Sequence, residues 1–153
     1  MDNFACKSVI ATDFSEKMLV KARRKCRAYG NARFEFADII HLPYPDGAFD
    51  KIVAANVIHL LDEPLKALSQ LDRVCRKGGQ IIIPTYINRE KGDGRTNAFA
   101  TAVGKAGADF KRQFTFSSYQ QFFAEAGYTQ TAYMLIEGRI PCALAVITKT
   151  FKS

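Results

Sequence analysis

The sequence predicts an α/β fold: a mostly parallel sheet with helices on both faces, closed by an antiparallel hairpin. Three observations carry this. Short runs of β-branched and small apolar residues recur at Ser8–Thr12, from Phe49 to Ala55, and at Gln80–Pro84. The second is dense enough for a strand buried on both faces, and the other two read as buried strands. Stretches with apolar residues at helical spacing separate them. The order strand, helix, strand, strand, helix, strand implies parallel pairing across helical crossovers. Two further strand-like stretches, Gln130–Glu137 and Pro141–Lys149, meet at Gly138-Arg139 and read as a hairpin. The 153 residues are expected to form a single domain.

The first strand, Ser8–Thr12, ends at Asp13. Ser15 is placed to cap a helix whose apolar positions Met18, Leu19, Ala22 and Cys26 share one stripe, with Gly30 as its stop. Arg33 to Ala37 alternates as a strand near a sheet edge does, and Asp38 closes it. His41 to Phe49, with two prolines and Asp46-Gly47, is a turn-rich connection. The strand from Phe49 follows, and the polar residues Asn56 and His59 fall where it should end. In an open parallel sheet ligands bind just outside the carboxyl ends of strands, so these are site candidates.

Asp62 or Glu63 is expected to cap the next helix, with Pro64 in its first turn. That helix is predicted from about Pro64 to Arg76, burying Leu65, Leu68, Leu71, Val74 and Cys75. Gly78-Gly79 ends it and leads into the strand Gln80–Pro84. Asn88 to Asn97, with five charged residues and two glycines, is expected to be a mobile surface loop of the kind that acts as a lid. A weak helix is predicted over Thr96–Ala106, using Phe99. Ser117 and Ser118, before Gln120 and Gln121, suggest a capping box for a short helix that stops at Gly127.

A hydrophobic share of 48% and a charged share of 24% suit an ordinary globular protein. No apolar run approaches the roughly 18 residues of a membrane span, and Met1 to Lys7 has no signal-peptide core, so a cytoplasmic location is expected. Cys6, Cys26, Cys75 and Cys142 form no C-x-x-C pair and read as free thiols; with His41 and His59 as the two imidazoles, no metal is expected. The net charge is 22 − 15 = +7, concentrated in Lys17, Lys21, Arg23, Arg24, Lys25 and Arg27 and again in Lys105, Lys111 and Arg112. A basic surface attracts anionic partners such as RNA or membrane lipid. The absence of interleaved aromatics argues against nucleic acid and for solvated helix faces.

Four segments together resemble a known family: Ile10 to Ser15 with Met18-Leu19, Ala37-Asp38 with Leu42-Pro43, Phe49-Asp50 through His59, and Arg73 to Gly79. In order and spacing they are similar to the class I S-adenosylmethionine-dependent methyltransferases, in the small-molecule branch with the ubiquinone and menaquinone biosynthesis enzymes. The resemblance implies a Rossmann-like fold, S-adenosylmethionine as cofactor and a small-molecule methyl acceptor. Asp13 matches the acidic residue that accepts both ribose hydroxyls, and Phe14 lies beside the adenine. Asp38 matches the acceptor for the adenine amine, with Ile39 packing on the ring. Asn56, Val57 and His59 face the methionine half and the methyl group. His59 reads as a wall of the site in preference to a general base. Tyr86, Phe99 and Phe114 are either walls for an apolar substrate or core residues.

One departure stands out. The family's first strand ends in a glycine-rich turn, typically Asp/Glu-x-Gly-x-Gly-x-Gly, and no counterpart precedes Ser8. In the family that strand lies between those starting here at Ser8 and Asp50. Three outcomes are expected from this: a domain incomplete at its N-terminus, a direct joining of the two strands, or a homo-oligomer in which a neighbouring chain completes the sheet. The missing turn also motivates an alternative function, a non-catalytic relative acting through protein association. A nicotinamide-dependent dehydrogenase would need G-x-G-x-x-G opening a helix, which is absent.

Overall fold

A computed structural model describes residues 8–90 and 111–150. The chain divides into two compact units, Met1–Pro43 and Tyr44–Ser153. The first holds β1 (Val9–Asp13), α1 (Glu16–Lys25) and β2 (Ala32–Phe36). β1 and β2 pair in parallel from Val9↔Ala32 to Asp13↔Phe36, as a helical crossover requires. Ser15, in extended conformation, accepts the Met18 N–H and starts α1; Glu16 lies in the first turn and Arg23, Arg24 and Lys25 in the last, each favourable to the helix dipole. The helix ends at Lys25, earlier than Gly30 suggested: Cys26 N–H still closes on Ala22 O at 2.9 Å, but its own backbone leaves the helical region (φ −101°, ψ 16°) and Tyr29 N–H turns back onto Cys26 O at 2.9 Å. Leu19 is the residue of α1 that is fully buried, while Met18 is exposed.

The second unit holds β3 (Phe49–Val53), α2 (Pro64–Val74), β4 (Cys75–Tyr86), α3 (Phe116–Glu125), β5 (Thr131–Ile136) and β6 (Cys142–Thr148). Its sheet runs β3-β4-β6-β5, parallel between β3 and β4 and antiparallel in the closing pairs. The expected hairpin is therefore formed by β5 and β6. On one face Ile81, Ile83 and Thr85 of β4 stand opposite Ile147, Ala145 and Ala143 of β6, all buried. α2 packs on β4, burying Ala67, Leu68, Leu71 and Val74; α3 packs on β5 and β6, burying Tyr119 and Phe123. The Tyr119 hydroxyl donates to Ile83 O, which satisfies the one polar atom that this ring carries into the core.

Several local expectations are corrected. β1 is not a buried strand and β3 is not buried on both faces: Val9 is 39% exposed and Val53 is 64% exposed. Among the described residues each has one hydrogen-bonded neighbour, β2 and β4 respectively, and an edge strand covers less of its surface than a central one. The direct joining of the two strands does not occur; among the described residues β1 lies in a two-stranded sheet and β3 in the four-stranded one. Glu63 does occupy the N-cap of α2 with Pro64 behind it, but its side chain makes no capping bond, and Asp62 lies 3.5 Å from Lys111.

α2 stops at Val74. Cys75 is buried as expected but in extended backbone, as the first residue of β4, and Leu65 is exposed. The strand then bulges, Phe49 facing Cys75 while Lys51 faces Gln80. Gly79 fits inside that bulge: a Cβ there would lie 2.7 Å from Asp50 O and Cys75 Sγ and 2.9 Å from Arg76 O. The cap of α3 is Thr115, earlier than Ser117, in a capping box with Ser118. The loop expected over Asn88–Asn97 begins pinned. Asn88 N–H donates to Phe114 O at 2.7 Å, Arg89 pairs with Glu137 at 2.8 Å, and Glu90 accepts from Ser117 N–H and Oγ. The rest of that loop and the Thr96–Ala106 helix lie outside the described residues.

Candidate functional site

The residues singled out by sequence form two groups, one in each unit. In the first unit, Asp13 closes β1 and Asp38 follows β2. Parallel pairing brings both to the carboxyl ends of adjacent strands, where Ala37 N–H donates to Asp13 O at 3.3 Å. Asp13 Oδ1 accepts the Ser15 N–H at 2.8 Å, and Asp38 Oδ1 accepts the Ile40 N–H at 3.1 Å. His41 Nδ1 stands 3.8 Å from Asp38 Oδ2. Each carboxylate is thus held by one oxygen in a turn, which orients the other oxygen.

Phe14 and Phe36 lie beside them, 67% and 56% exposed, with ring centroids 5.2 Å apart. Two neighbouring aromatic rings in solvent at strand ends form an apolar platform next to two acceptors, and Ile39 is half-buried nearby in sequence. Phe36 was not singled out from sequence. Its signal was the alternation Arg33-Phe34-Glu35-Phe36, which read as core patterning; its register with Asp13 is what places it at the strand end.

In the second unit, Asn56 lies just past β3. Its N–H donates to Pro84 O at 2.8 Å and its Oδ1 accepts the Tyr86 N–H at 3.0 Å, tying the end of β3 to β4. The backbone there is left-handed, φ +53°, and Asn56 is the one non-glycine residue with positive φ among the described residues. The turn throws the chain into a short 3₁₀ helix, Ile58–Leu60, for which half-buried Val57 is the N-cap.

His59 in that helix is buried, 3% exposed, and burial lowers its pKa below 6.5. It is therefore a neutral imidazole at pH 7. One residue holds this turn from outside. Arg112 Nη1 donates to Ile58 O at 3.3 Å and Leu61 O at 2.7 Å, and Arg112 N–H donates to His59 O at 3.2 Å. In the sequence Arg112 was one basic residue among many, and only the fold shows its carbonyl partners. Phe114 is core, packed on Tyr119 and Phe122, whereas Tyr86 is exposed and Phe99 lies outside the described residues. Among the described residues no His, Cys, Asp and Glu side chains group in a way that holds a metal ion, and Cys26, Cys75 and Cys142 are free thiols.

Residues 1–83 match the sequence profile of the family described as "Methyltransferase domain". The chain belongs to this methyltransferase family. Among curated relatives it is 36% identical over 107 residues to a phosphatidylethanolamine N-methyltransferase of Cereibacter sphaeroides, covering 68% of this chain and 50% of that protein. It is 40% identical over 85 residues to a demethylmenaquinone methyltransferase of Thermus thermophilus, covering 55% of this chain and 39% of that protein. The chain thus spans about half the length, or less, of these relatives. The fold is shared with solved structures. A S-adenosylmethionine-dependent methyltransferase from Aquifex aeolicus superposes with TM-score 0.67 at 22% identity, covering 94% of this chain and 69% of that one. The YcgJ protein from Bacillus subtilis superposes with TM-score 0.69 at 17% identity, covering 95% and 84%. The family segments of this methyltransferase relative, Asp13, Asp38 and Asn56 to His59, all fall within the matched residues. Among the described residues no helix is long and apolar enough to cross a membrane.

Proposed function

We propose that the chain forms a S-adenosylmethionine-dependent methyl-transfer domain acting on a small-molecule acceptor, working in the cytoplasm. The observation that carries this reading is the pair of oriented carboxylates, Asp13 and Asp38, beside the exposed Phe14–Phe36 platform. This donor-poor, acceptor-rich corner fits an adenosine, which offers ribose hydroxyls and an exocyclic amine as donors and a flat ring for stacking. Asp13 would accept the ribose hydroxyls through charge-assisted hydrogen bonds, and Asp38 the amine. Phe14 and Ile39 would flank the ring. Asn56 and Val57 would line the methionine half.

S-adenosylmethionine supplies an electrophilic sulfonium methyl group. The protein's part is alignment and exclusion of water. His59, neutral and buried, suits a wall or a hydrogen-bonding group in the site; its lowered pKa makes it a weak base. We take both units, residues 1–153, as parts of one domain. We further propose that the fold is Rossmann-like and that a strand from elsewhere in the protein or from a second copy of the chain pairs with a strand edge left open among the described residues. The second reading, association without catalysis, is favoured by one observation, the open edge of β3 with Val53 exposed.

A calorimetric titration of the folded chain with S-adenosylhomocysteine tests the first reading. The expected result is micromolar affinity, about −8 kcal/mol. Asp13→Asn keeps an acceptor for Ser15 N–H but removes the charge, and it is expected to weaken binding about tenfold or more. A chain that is folded by circular dichroism and binds nothing overturns the reading; a self-associated chain of that kind would support the second one.

A further inference from the structure

α1 presents a face that the proposed site does not use. At 100° per residue, Lys17, Lys21 and Arg24 fall within about 60° of each other, on the side opposite buried Leu19. They are exposed and, with Val20, line a shallow surface groove. Lys25 and Arg27 continue the charge. Arg23 is spent differently, pairing with Glu16 at 3.0 Å and donating to Phe34 O. Among the described residues none of Lys17, Lys21, Arg24, Lys25 and Arg27 has a carboxylate within ion-pair distance, although the segment carries Glu16 as its one acid.

Five uncompensated cations within eleven residues, four of them on the helix and Arg27 just past it, repel one another, about a few tenths of a kilocalorie per i,i+4 pair. A polyanionic partner removes that repulsion. The apolar flanks decide which one. Val20 at 56% exposed borders the stripe on one side and Met18 at 49% on the other, and Tyr29, 65% exposed, follows the helix. A phosphodiester backbone has no use for Val20 and Met18, and the stripe carries no ring on which a base could stack. A bilayer surface takes both parts: anionic headgroups under the cations, and the headgroup–acyl boundary for the apolar side chains.

We propose that the Lys17–Lys21–Arg24 face of α1 is a docking surface for an anionic lipid bilayer, to which the protein binds peripherally. Each cation near such a surface contributes about fivefold to partitioning. The binding is reversible and salt-sensitive, because short-range screening acts directly on exposed charges.

The test is co-sedimentation of the full chain with vesicles of phosphatidylcholine alone and of phosphatidylcholine with about 30% phosphatidylserine. The expected result is binding to the mixed vesicles, loss in high salt, and no binding to the neutral ones. A variant carrying Lys17→Gln, Lys21→Gln and Arg24→Gln should lose about 100-fold in partitioning. A control carrying Lys51→Gln, Lys77→Gln and Arg139→Gln removes the same charge elsewhere and should keep most of it. Equal loss in both variants would assign the effect to net charge and overturn the proposal. So would equal binding to neutral vesicles, or binding to a single-stranded RNA in preference to the mixed vesicles.

Discussion

Asn56 gives a prediction in which the usual ranking of substitutions reverses. Its side-chain oxygen accepts the Tyr86 N–H at 3.0 Å, and its backbone sits at φ +53°. Asn56→Ala removes the acceptor, at about 1 kcal/mol for an ordinary hydrogen bond on a partly exposed donor. It also leaves a Cβ-bearing residue in the left-handed region without asparagine's local compensation, about 1 kcal/mol more. The sum is about 2 kcal/mol. Asn56→Gly loses the same hydrogen bond but removes the backbone penalty; the extra entropy of an unfolded glycine offsets part of that relief. It should cost about 1 kcal/mol.

Asn56→Asp keeps an acceptor and tolerates the same φ, so it should change stability by less than about 0.5 kcal/mol. Urea denaturation of the four proteins at one pH, with equal m-values, reads these differences directly. In thermal scans alanine should lower the Tm by about 4–8 °C for a chain of this size. Alanine no worse than glycine would refute the argument that the left-handed backbone is held by asparagine. The aspartate variant also separates structure from ligand binding. It removes the amide donor from the proposed methionine side while leaving the turn in place, so it should weaken S-adenosylhomocysteine without unfolding the chain.

Three further outcomes follow from the geometry. Gly79→Ala forces a Cβ to within 2.7–2.9 Å of two backbone oxygens and the Cys75 sulfur, and should cost about 3 kcal/mol in a urea titration; Gly78→Ala, at φ +75° with open space around it, should cost about 1–2 kcal/mol. Arg112→Gln loses the charged donor to Ile58 O and Leu61 O and should destabilise by about 1.5–3 kcal/mol while raising hydrogen exchange in Ile58–Leu60; unchanged exchange there would remove the clamp from the account. His59 has a folded pKa below its unfolded 6.5, so the unfolded chain binds the extra proton. Its contribution is intact above pH 6.5 and is lost as pH falls through and below that value, with a limiting slope of about 1.4 kcal/mol per pH unit; His59→Gln should flatten that slope, and identical pH profiles would refute the assignment.

What was legible in the sequence was local. The Asp13 and Asp38 strand ends, the Ser15 cap, Pro64 at the start of α2, the Gly127 stop and the closing hairpin each rest on a backbone rule that acts within a few residues. Boundaries moved where a tertiary contact overruled the local signal. Cys75 carries helical spacing with Leu68 and Leu71 yet is drawn into β4, because the bulge around Gly79 needs extended chain on both sides. Thr115 caps α3 ahead of Ser117, whose own N–H and hydroxyl are occupied by Glu90. Phe36 and Arg112 were missed for the same reason. A ring in an alternating strand and an arginine in a basic stretch each have a bland local reading, and what changes it is a partner far away in sequence.

The exposure of β1 and β3 has a different origin. A strand's composition records what it is built to pack against, and Val9, Ile10, Ile52 and Val53 are the side chains of strands with neighbours on both edges. Among the described residues the pairing gives β1 only β2, and β3 only β4. The register of each pair is nevertheless unambiguous, so the mismatch is not one of slipped strands. It lies between an apolar pattern suited to the middle of a sheet and a place at the edge of one, where an exposed row of backbone donors and acceptors is ready to pair. Among the described residues β1 and β3 do not pair with each other. The proposed added strand is what such an edge would accept. Within the first unit Asp13 ends β1 and Asp38 follows β2, so a strand added beside β1 would also lie next to the proposed adenosine corner.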